Sequence, residues 1–254
     1  MNITFNKYMD NPSLGTSVYS TRQIYRSLYK QKFDNLMVRE QGQLHYKIFN
    51  TNDQLDTHYI HFKIPSDKIP DLYYDVVLEF WTQDPNEKDS PTIRKYNVRF
   101  YSNDQAFIFT FAHAFNSNGL FIDLLKTKML KRAITDKAKE RNPKDDIWYV
   151  KSLCFAFYAM ERYLLFNRSM LNQNGRKFNR SELLNGVQSA ESKIEECRIK
   201  EEQLKDSYRA ERMKARAQKE LDNKKFARTN QLVKVASTVK PVKTAKQIKK
   251  IKKK

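Results

Sequence analysis

The stretch Leu72-Tyr73-Tyr74-Asp75-Val76-Val77-Leu78-Glu79-Phe80 decides the fold of this chain. Every second side chain from Leu72 to Phe80 is apolar or aromatic, whereas Asp75 and Glu79 fall among the intervening positions. Successive side chains of a strand point to opposite faces of a sheet, so this alternation predicts a β-strand with one dry face and one wet face.

Further strands are predicted on either side of this one, over residues 44–49, 58–64, 93–101 and 106–114. The last of these stretches is nearly all apolar, which is typical of a central strand buried on both faces. Polar or Pro-containing connections, such as 82–91, separate the strands. Five strands joined in this way predict an antiparallel sheet with one solvated face.

Helical periodicity occurs on both sides of the strand region. Ser20 and Gln23 resemble the start of a helix over 20–34. An apolar stripe predicts a second helix from about 120, which should end before Pro143. Residues 146–172 are apolar on almost every side, so this helix is expected to pack against the dry face of the sheet. The fold class is therefore α+β, an antiparallel sheet covered by helices, in a body that spans residues 1–178.

Residues 179–223 are rich in charge and are expected to form a helical arm. Apolar, small or polar residues recur in it at intervals of three and four, namely Leu183, Val187, Ala190, Ile194, Cys197, Glu201, Leu204 and Tyr208. This spacing fits a coiled coil, but it also fits a single amphipathic helix that packs on the body or is held by charge pairs. Self-association through 181–223 is expected to be weak, because Ala190 and Glu201 reduce the buried apolar area.

The chain ends in a polycationic segment, residues 224–254. It contains twelve Lys or Arg and no Asp or Glu, out of a net charge of +19 for the whole chain. The preceding residues 181–223 are nearly balanced, with nine basic and ten acidic side chains. A segment of one charge sign with few apolar residues repels itself, so 224–254 is expected to be a disordered Lys-rich tail.

A block of like charge is commonly an interaction tail, and its natural partner is nucleic acid, with DNA favoured over RNA. The candidate nucleic-acid-binding residues of the tail are Lys224, Lys225, Arg228, Lys234, Lys240, Lys243, Lys246, Lys249, Lys250, Lys252, Lys253 and Lys254. The alternative is a tail that keeps the protein soluble and has no binding partner.

The first predicted helix supplies two more candidates, Arg22 and Arg26. Their cations could neutralise phosphates while Tyr25 and Tyr29 stack on bases. The same pattern also arises when tyrosines cover the rim of a core and the basic residues are simply solvated.

No catalytic motif stands out, and neither a metal site nor a cofactor is predicted. Asp71, Asp75 and Glu79 share one predicted strand face, as a metal-dependent nuclease would require, with Lys95 and Arg99 on a neighbouring strand. A solvated face with cross-strand ion pairs is the favoured interpretation.

The remaining reactive side chains also favour a non-enzymatic protein. His58 and His61 are three residues apart on a strand and should point to opposite faces. His113, in an apolar run, is expected to be a hydrogen-bonded core residue. Cys154 lies in an apolar run, where a thiol is inert.

Composition limits the compartment and the partners. Two cysteines argue against a disulfide framework and favour a reducing compartment. The N-terminus lacks the pattern of a signal peptide, and no uncharged apolar run is long enough to span a bilayer, so no membrane partner is expected.

Four stretches carry a resemblance to known proteins: Tyr96–Asn103, Asn116–Ile122, Arg141–Pro143 and Tyr149–Leu153. Together with the heavy use of Asn, Lys, Tyr and Ile, they resemble proteins encoded by AT-rich bacteriophages of Gram-positive bacteria. The resemblance implies a phage-encoded protein, associated with the virion or acting on the phage genome, in the bacterial host cytoplasm or in the virion. It supplies no site residues.

The sequence as a whole predicts a non-enzymatic protein that holds nucleic acid electrostatically through its C-terminal tail. The alternative is a virion structural or assembly protein whose main partner is protein. A metal-dependent nuclease is the third and least favoured reading.

Overall fold

The computed structural model describes residues 3–10, 29–51, 54–125, 127–137, 147 and 150–238, except for the side chains of 128–129 and 227–238. The chain divides into two compact units, Met1–Glu201 and Glu202–Lys254. The sheet and the apolar core lie in the first unit, and the second consists of helix as far as it is described.

The predicted α+β class is confirmed, with a sheet of five strands in the order β4-β3-β2-β1-β5. The strands are β1 Tyr46–Asn50, β2 His58–Pro65, β3 Tyr73–Trp81, β4 Asn97–Ser102 and β5 Arg176–Lys177. The first four strands pair antiparallel, and only the short β5 pairs parallel with β1. The alternation first noted from Leu72 to Phe80 thus belongs to β3, one strand in from the edge.

The helices lie before, between and after the strands. They are α1 Phe5–Asp10, α2 Lys30–Arg39, α3 Pro85–Lys88, α4 Ala112–Ser117, α5 Lys128–Thr135, α6 Lys151–Arg162, α7 Arg168–Asn174, α8 Arg180–Gly186 and α9 Ala190–Thr238. Short turns of 3-10 helix cover Ile93–Lys95 and Asp123–Leu125, and a π-helical turn at Phe107–Phe111 leads into α4.

The dry face of the sheet is the centre of the core. Ile60, Leu78 and Phe100 lie side by side on β2, β3 and β4 and are fully buried. Helix α6, which is buried at every position from Ser152 to Met160, packs against these three strands. Burial on all sides of α6 follows from its lack of a polar face, so the predicted placement of this helix is confirmed.

The run 106–114 is helical, and the prediction of a central strand there was wrong. Asp104 starts the helical segment, because its Oδ1 accepts the Ala106 N–H at 2.9 Å and its carbonyl accepts the Ile108 N–H at 3.0 Å. A short continuous apolar run looks the same in a buried strand and in a buried helix, so its period could not decide.

The predicted helix over 146–172 is interrupted. Leu164 has a positive φ of 57°, and the chain turns there before Asn167 starts α7 by accepting the Ser169 N–H at 2.9 Å. A non-Gly residue in the left-handed region ends a helix, and nothing in the apolar pattern signals it. The helix predicted over 20–34 is seen from Lys30 onward, since residues 21–28 lie outside the described part of the chain.

The arm and the tail join in one helix. Helix α9 passes the predicted boundary at residue 223 and ends at Thr238, so residues 224–238 are helical where a disordered tail was predicted. Lys, Arg, Ala, Gln and Leu are all good helix formers, which offsets the charge repulsion expected of this stretch. Residues 239–254 lie outside the described residues.

The second face of the sheet is covered, and the prediction that it is solvated was wrong. Asp75 and Glu79 are 0% and 7% exposed, and His61 beside them is 4% exposed. Phe178 stacks on Tyr59 of this face at 4.7 Å between ring centroids, so the segment that follows β5 forms part of the cover. Polar side chains on a strand do not reveal whether a later part of the chain will bury them.

Four hydrogen bonds tie the buried carboxylate of Asp75 to the surrounding chain. Oδ1 accepts from His61 Nε2 at 2.7 Å and from Lys63 Nζ at 2.8 Å. Oδ2 accepts from Asn103 Nδ2 at 3.0 Å and from the Gln188 backbone N–H at 2.9 Å. Asp75 therefore connects β2, the end of β4 and the link between α8 and α9 through one side chain.

These donors also hold the charge on Asp75. Burial raises the pKa of the carboxyl, but the hydrogen bonds from His61, Lys63 and Gln188 outweigh burial and bring the pKa below its ordinary value of 3.8. A buried carboxylate persists when its oxygens are supplied with donors in this way.

Asp75→Asn is expected to destabilise the protein by about 3–5 kcal/mol, because it leaves the Lys63 charge and several donors without a charged acceptor. Urea unfolding at neutral pH measures the loss. The lowered pKa means that Asp75 stabilises the fold above its unfolded pKa and ceases to do so as pH falls through the folded pKa. The difference between wild type and variant should therefore shrink below pH 3.8.

Asp71→Asn is the matched control, because Asp71 is exposed in the turn before β3. A loss from Asp75→Asn no greater than that of the control would contradict a central role for the buried carboxylate.

Candidate functional site

Basic side chains on α9 form a stripe that the sequence analysis missed. Five of them follow one another at intervals of four and three residues: Lys205, Arg209, Arg212, Arg216 and Lys219. At about 100° per residue, all five lie within about 40° of one direction around the helix, along about 21 Å of its axis. All five are exposed. We call this set the basic stripe.

The acids of the same helix segment lie off the basic stripe. Asp206 and Glu211, the two acids between Lys205 and Lys219, are about 100° and 120° from its centre, and Glu201, one turn before Lys205, lies at its edge. The sum of charges over residues 181–223 is close to zero, and such a sum does not show that basic and acidic side chains lie on different faces of the helix. The signal that could have revealed it was the spacing of the basic residues alone.

Most cations of the basic stripe have no acidic partner among the described side chains. Arg209 contacts Asp206 at 3.2 Å, and both side chains are largely exposed, so this pair contributes little. Arg212, Arg216 and Lys219, like Lys205, form no ion pair within the described part of the chain. Their charge is therefore available to an external anion.

An aromatic ring lies next to the basic stripe. Tyr208 is 56% exposed and sits about 60° from the stripe's centre, one residue before Arg209. Leu204, one turn earlier, is half-buried. Cations beside an exposed ring form the combination that proteins use to contact phosphates and stack on bases.

The predicted tail residues fall into three groups. Lys224 and Lys225 are exposed on α9. Arg228 and Lys234 lie on the same helix, with side chains outside the described set. The remaining candidates, from Lys240 to Lys254, lie outside the described residues.

The candidates of the first predicted helix, Arg22 and Arg26, also lie outside the described residues. Nearby Tyr29 packs edge-on against Phe155 at 6.1 Å between ring centroids, and Lys30 pairs with Asp34 at 2.9 Å. In its described part, this region therefore fits the alternative that tyrosines cover the rim of the core.

The residues with heptad-like spacing at the start of the arm pack against the body of the protein. Leu183, Ala190 and Cys197 are buried, and Val187 and Ile194 pack against the core. Of the two alternatives left open by the sequence, packing on the body is the one observed for residues 183–197, which form the end of α8, a break at 187–189 and the start of α9. These side chains are not free to form a coiled-coil seam.

The three carboxylates predicted to share a strand face are separated by the structure. Asp71 lies in the turn before β3, whereas Asp75 and Glu79 lie on the strand. Arg99 pairs with Glu79 at 3.5 Å, as predicted. Asp75 is paired with Lys63 instead of Lys95, which is exposed in the 3-10 turn.

Glu79 has fewer hydrogen-bond and ion-pair partners than Asp75. It accepts the Tyr59 hydroxyl at 2.7 Å and faces Arg99. Burial raises its pKa by more than Tyr59 and Arg99 lower it, so the pKa lies above the ordinary value of 4.5. Both carboxylates are therefore engaged by protein donors.

The reactive side chains on the sheet and on α6 have defined surroundings. His58 and His61 point to opposite faces, as predicted, with His58 Nδ1 2.8 Å from Asn50 Oδ1. His113 lies on α4 and is half-buried, not in a core strand. Cys154 is fully buried, which raises its pKa and leaves the thiol inert, as predicted.

No protein-family model, curated protein or solved structure matches this chain. The resemblance to bacteriophage proteins therefore stays a prediction. Among the helices described, none is both long enough and apolar enough to cross a membrane. Within the same residues, no group of three or more His, Cys, Asp or Glu side chains could hold a metal ion.

Glu79→Gln should change the dependence of stability on pH in the direction opposite to Asp75→Asn. A raised folded pKa means that ionised Glu79 costs the folded state free energy, a cost that grows as pH rises from the unfolded pKa of 4.5. Gln keeps an acceptor for Tyr59 without the charge. The variant should therefore gain stability relative to wild type as pH rises, which thermal unfolding at about pH 4 and about pH 7 would measure.

The exposed Glu220 supplies a control, since Glu220→Gln removes the same charge without changing a buried group. A relative stability of Glu79→Gln that stays constant or falls between the two pH values would refute the raised pKa.

Proposed function

We propose that this chain is a non-enzymatic nucleic-acid-associated protein that holds DNA electrostatically through α9 and the residues that follow it. The observation that carries the proposal is the basic stripe, an exposed row of five cations of which four have no acidic partner among the described side chains. The sequence-level prediction of a phage protein in the host cytoplasm or the virion is retained as part of the proposal.

The dimensions of the basic stripe suit a nucleic-acid backbone. Its cations follow one another every three or four residues, or about 5 Å along the helix axis, and duplex DNA carries one charge for about every 1.7 Å of its axis. A single helix also fits the major groove, which is about 12 Å wide. Several phosphates can therefore lie within reach of the stripe at one time.

The chemistry of the contacts predicts binding with little sequence preference. Lys and Arg bind phosphates, and phosphate contacts position a protein without reading bases. Tyr208 can stack on any exposed base, because every base has a π face. The expected role is to hold or package nucleic acid, not to recognise a site.

The tail adds charge beyond the described helix. Residues 239–254 contain eight Lys and no acid. Full-length protein should therefore bind more tightly and with a steeper salt dependence than a chain that ends at Thr238, since each phosphate neutralised adds about 0.9 to the slope of log K against log salt. The basic stripe, together with the candidates between Lys224 and Lys234, should account for the affinity that the shorter chain retains.

The decisive comparison is between two double variants of equal charge. Arg212→Gln with Arg216→Gln removes two cations of the basic stripe, whereas Lys214→Gln with Lys95→Gln removes two exposed cations, one from the opposite face of α9 and one from the 3-10 turn of the first unit. The stripe variant should lower the magnitude of the salt slope on duplex DNA by about two, and the control by less than one. Fluorescence anisotropy over a salt series measures both, with circular dichroism to confirm the helix.

Equal losses in the two variants would show that only net charge matters and that the stripe is not an interface. If neither wild type nor the variants bind DNA, the alternative of an assembly protein with a protein partner would be favoured. Magnesium-dependent cleavage of DNA by wild type that disappears in Glu79→Gln would favour the nuclease.

A further inference from the structure

A pocket of about 670 Å³, lined mainly by polar and charged side chains, lies in the first unit. Its floor is the covered face of the sheet, with Lys47 on β1 and His61 and Lys63 on β2. Gly186, at the end of α8, and Lys193, in the first turns of α9, line its other side. Pockets of this volume hold small molecules up to about the size of a cofactor.

His61 presents an unpartnered nitrogen to this pocket. Its side chain is 4% exposed, and its Nε2 lies 2.7 Å from Oδ1 of Asp75. A carboxylate can only accept, so Nε2 donates to it, and Nδ1 is the ring nitrogen left to bond a ligand. No protein group in the described part of the chain donates to Nδ1.

The Nδ1 edge of the ring lies opposite Gly186. A Cβ atom built at Gly186 would lie 3.6 Å from both Nδ1 and Cε1 of His61, and both residues line the pocket. Because glycine has no side chain, this edge of the ring is left uncovered on the Gly186 side, and a polar group of a ligand can approach it there.

The charged groups around the pocket leave an excess of positive charge. Three carboxylates are each held by two basic side chains: Asp75 by His61 and Lys63, Glu182 by Lys47 and Arg176, and Glu196 by Lys193 and Lys200. With His61 left out of the count, five cations thus face three carboxylates.

Lys47 is the cation that can turn to a ligand most easily. It is 46% exposed, and its contact with Glu182 is long at 3.5 Å. Arg176 lies closer to the same oxygen, at 3.3 Å, and keeps that acid compensated when Lys47 moves. Exposed pairs of this kind cost little to break.

We propose that this pocket binds a phosphate ester that also carries a hydroxyl group and has about the size of a nucleotide. The hydroxyl group, which can donate or accept, forms a hydrogen bond with Nδ1 of His61, and the phosphate contacts Lys47 at the edge of the pocket. Asp75 acts as a positioning residue that holds the orientation of the imidazole ring. The site shares no residue with the basic stripe and does not depend on DNA binding there.

The test uses isothermal titration calorimetry of the full chain with adenosine monophosphate, adenosine and inorganic phosphate. Adenosine monophosphate should bind most tightly, because it alone supplies both groups. Lys47→Met should weaken its binding about tenfold, the usual effect of losing one charge-assisted hydrogen bond. Lys95→Met, an exposed lysine on the 3-10 turn outside the pocket lining, is the control and should leave the affinity unchanged.

Two further variants address His61. Gly186→Ala adds a methyl group in ordinary contact with the ring, which spares the fold but blocks a ligand at Nδ1, so affinity should fall several-fold. His61→Gln removes the ring nitrogen Nδ1 and should abolish binding, with circular dichroism to confirm that the variant is folded. Nitrogen-detected spectra of wild-type histidines provide a direct readout, since only the Nδ1 signal of His61 should move on titration with adenosine monophosphate.

A second titration distinguishes a free nucleotide from the end of a nucleic-acid strand. The probes are one oligonucleotide with a terminal phosphate and the same strand with a terminal hydroxyl. If only the strand with the phosphate perturbs the His61 signal, the ligand is the end of a nucleic-acid strand. Perturbation by the free nucleotide alone would identify a small metabolite. Equal effects of Lys47→Met and Lys95→Met, or a His61 signal that none of the probes moves, would overturn the proposal.

Discussion

The hydrogen-bonded carboxylate of Asp75 is the constraint on which the first unit depends. A bare carboxylate at full burial would be too costly to keep ionised, so the fold must bring donors to it from several parts of the chain. His61 and Lys63 come from the neighbouring strand, whereas Gln188 comes from more than a hundred residues later. Satisfying Asp75 therefore requires the segment between α8 and α9 to lie across the sheet.

This requirement explains why a face with polar side chains is buried. With Gln188 held at Asp75, the chain on either side of Gln188 is brought against the sheet. Before Gln188, Phe178 stacks on Tyr59 and Leu183 is buried. After Gln188, Cys197 packs with Ile69 and Leu72. The pocket at His61 is the space that this cover leaves over β1 and β2. Asp75 thus orients the imidazole through Oδ1 and holds the segment that faces it through Oδ2.

The two units use basic side chains in different ways. In the first unit, lysines such as Lys63 and Lys193 are bound to carboxylates, so they serve the fold. On α9 after Glu201, Arg212, Arg216 and Lys219 meet no carboxylate among the described side chains, so they have no such structural role. This contrast between compensated and uncompensated charge is the physical basis for assigning nucleic-acid association to α9 and the residues beyond it.

The sequence by itself determined the features that follow from local period and charge. Alternation along 72–80 identified a strand and its dry face, all-round apolarity identified α6 as the core helix, and the count of lysines identified the polycationic end. It could not determine what depends on distant contacts. The run 106–114 is compatible with a strand or a helix, and the cap formed by Asp104 favours the helix. Leu164 ends a helix although no local sequence signal marks it. Above all, Asp75 and His61 looked like solvated strand residues, because only the tertiary structure brings Gln188 across the sheet and buries them.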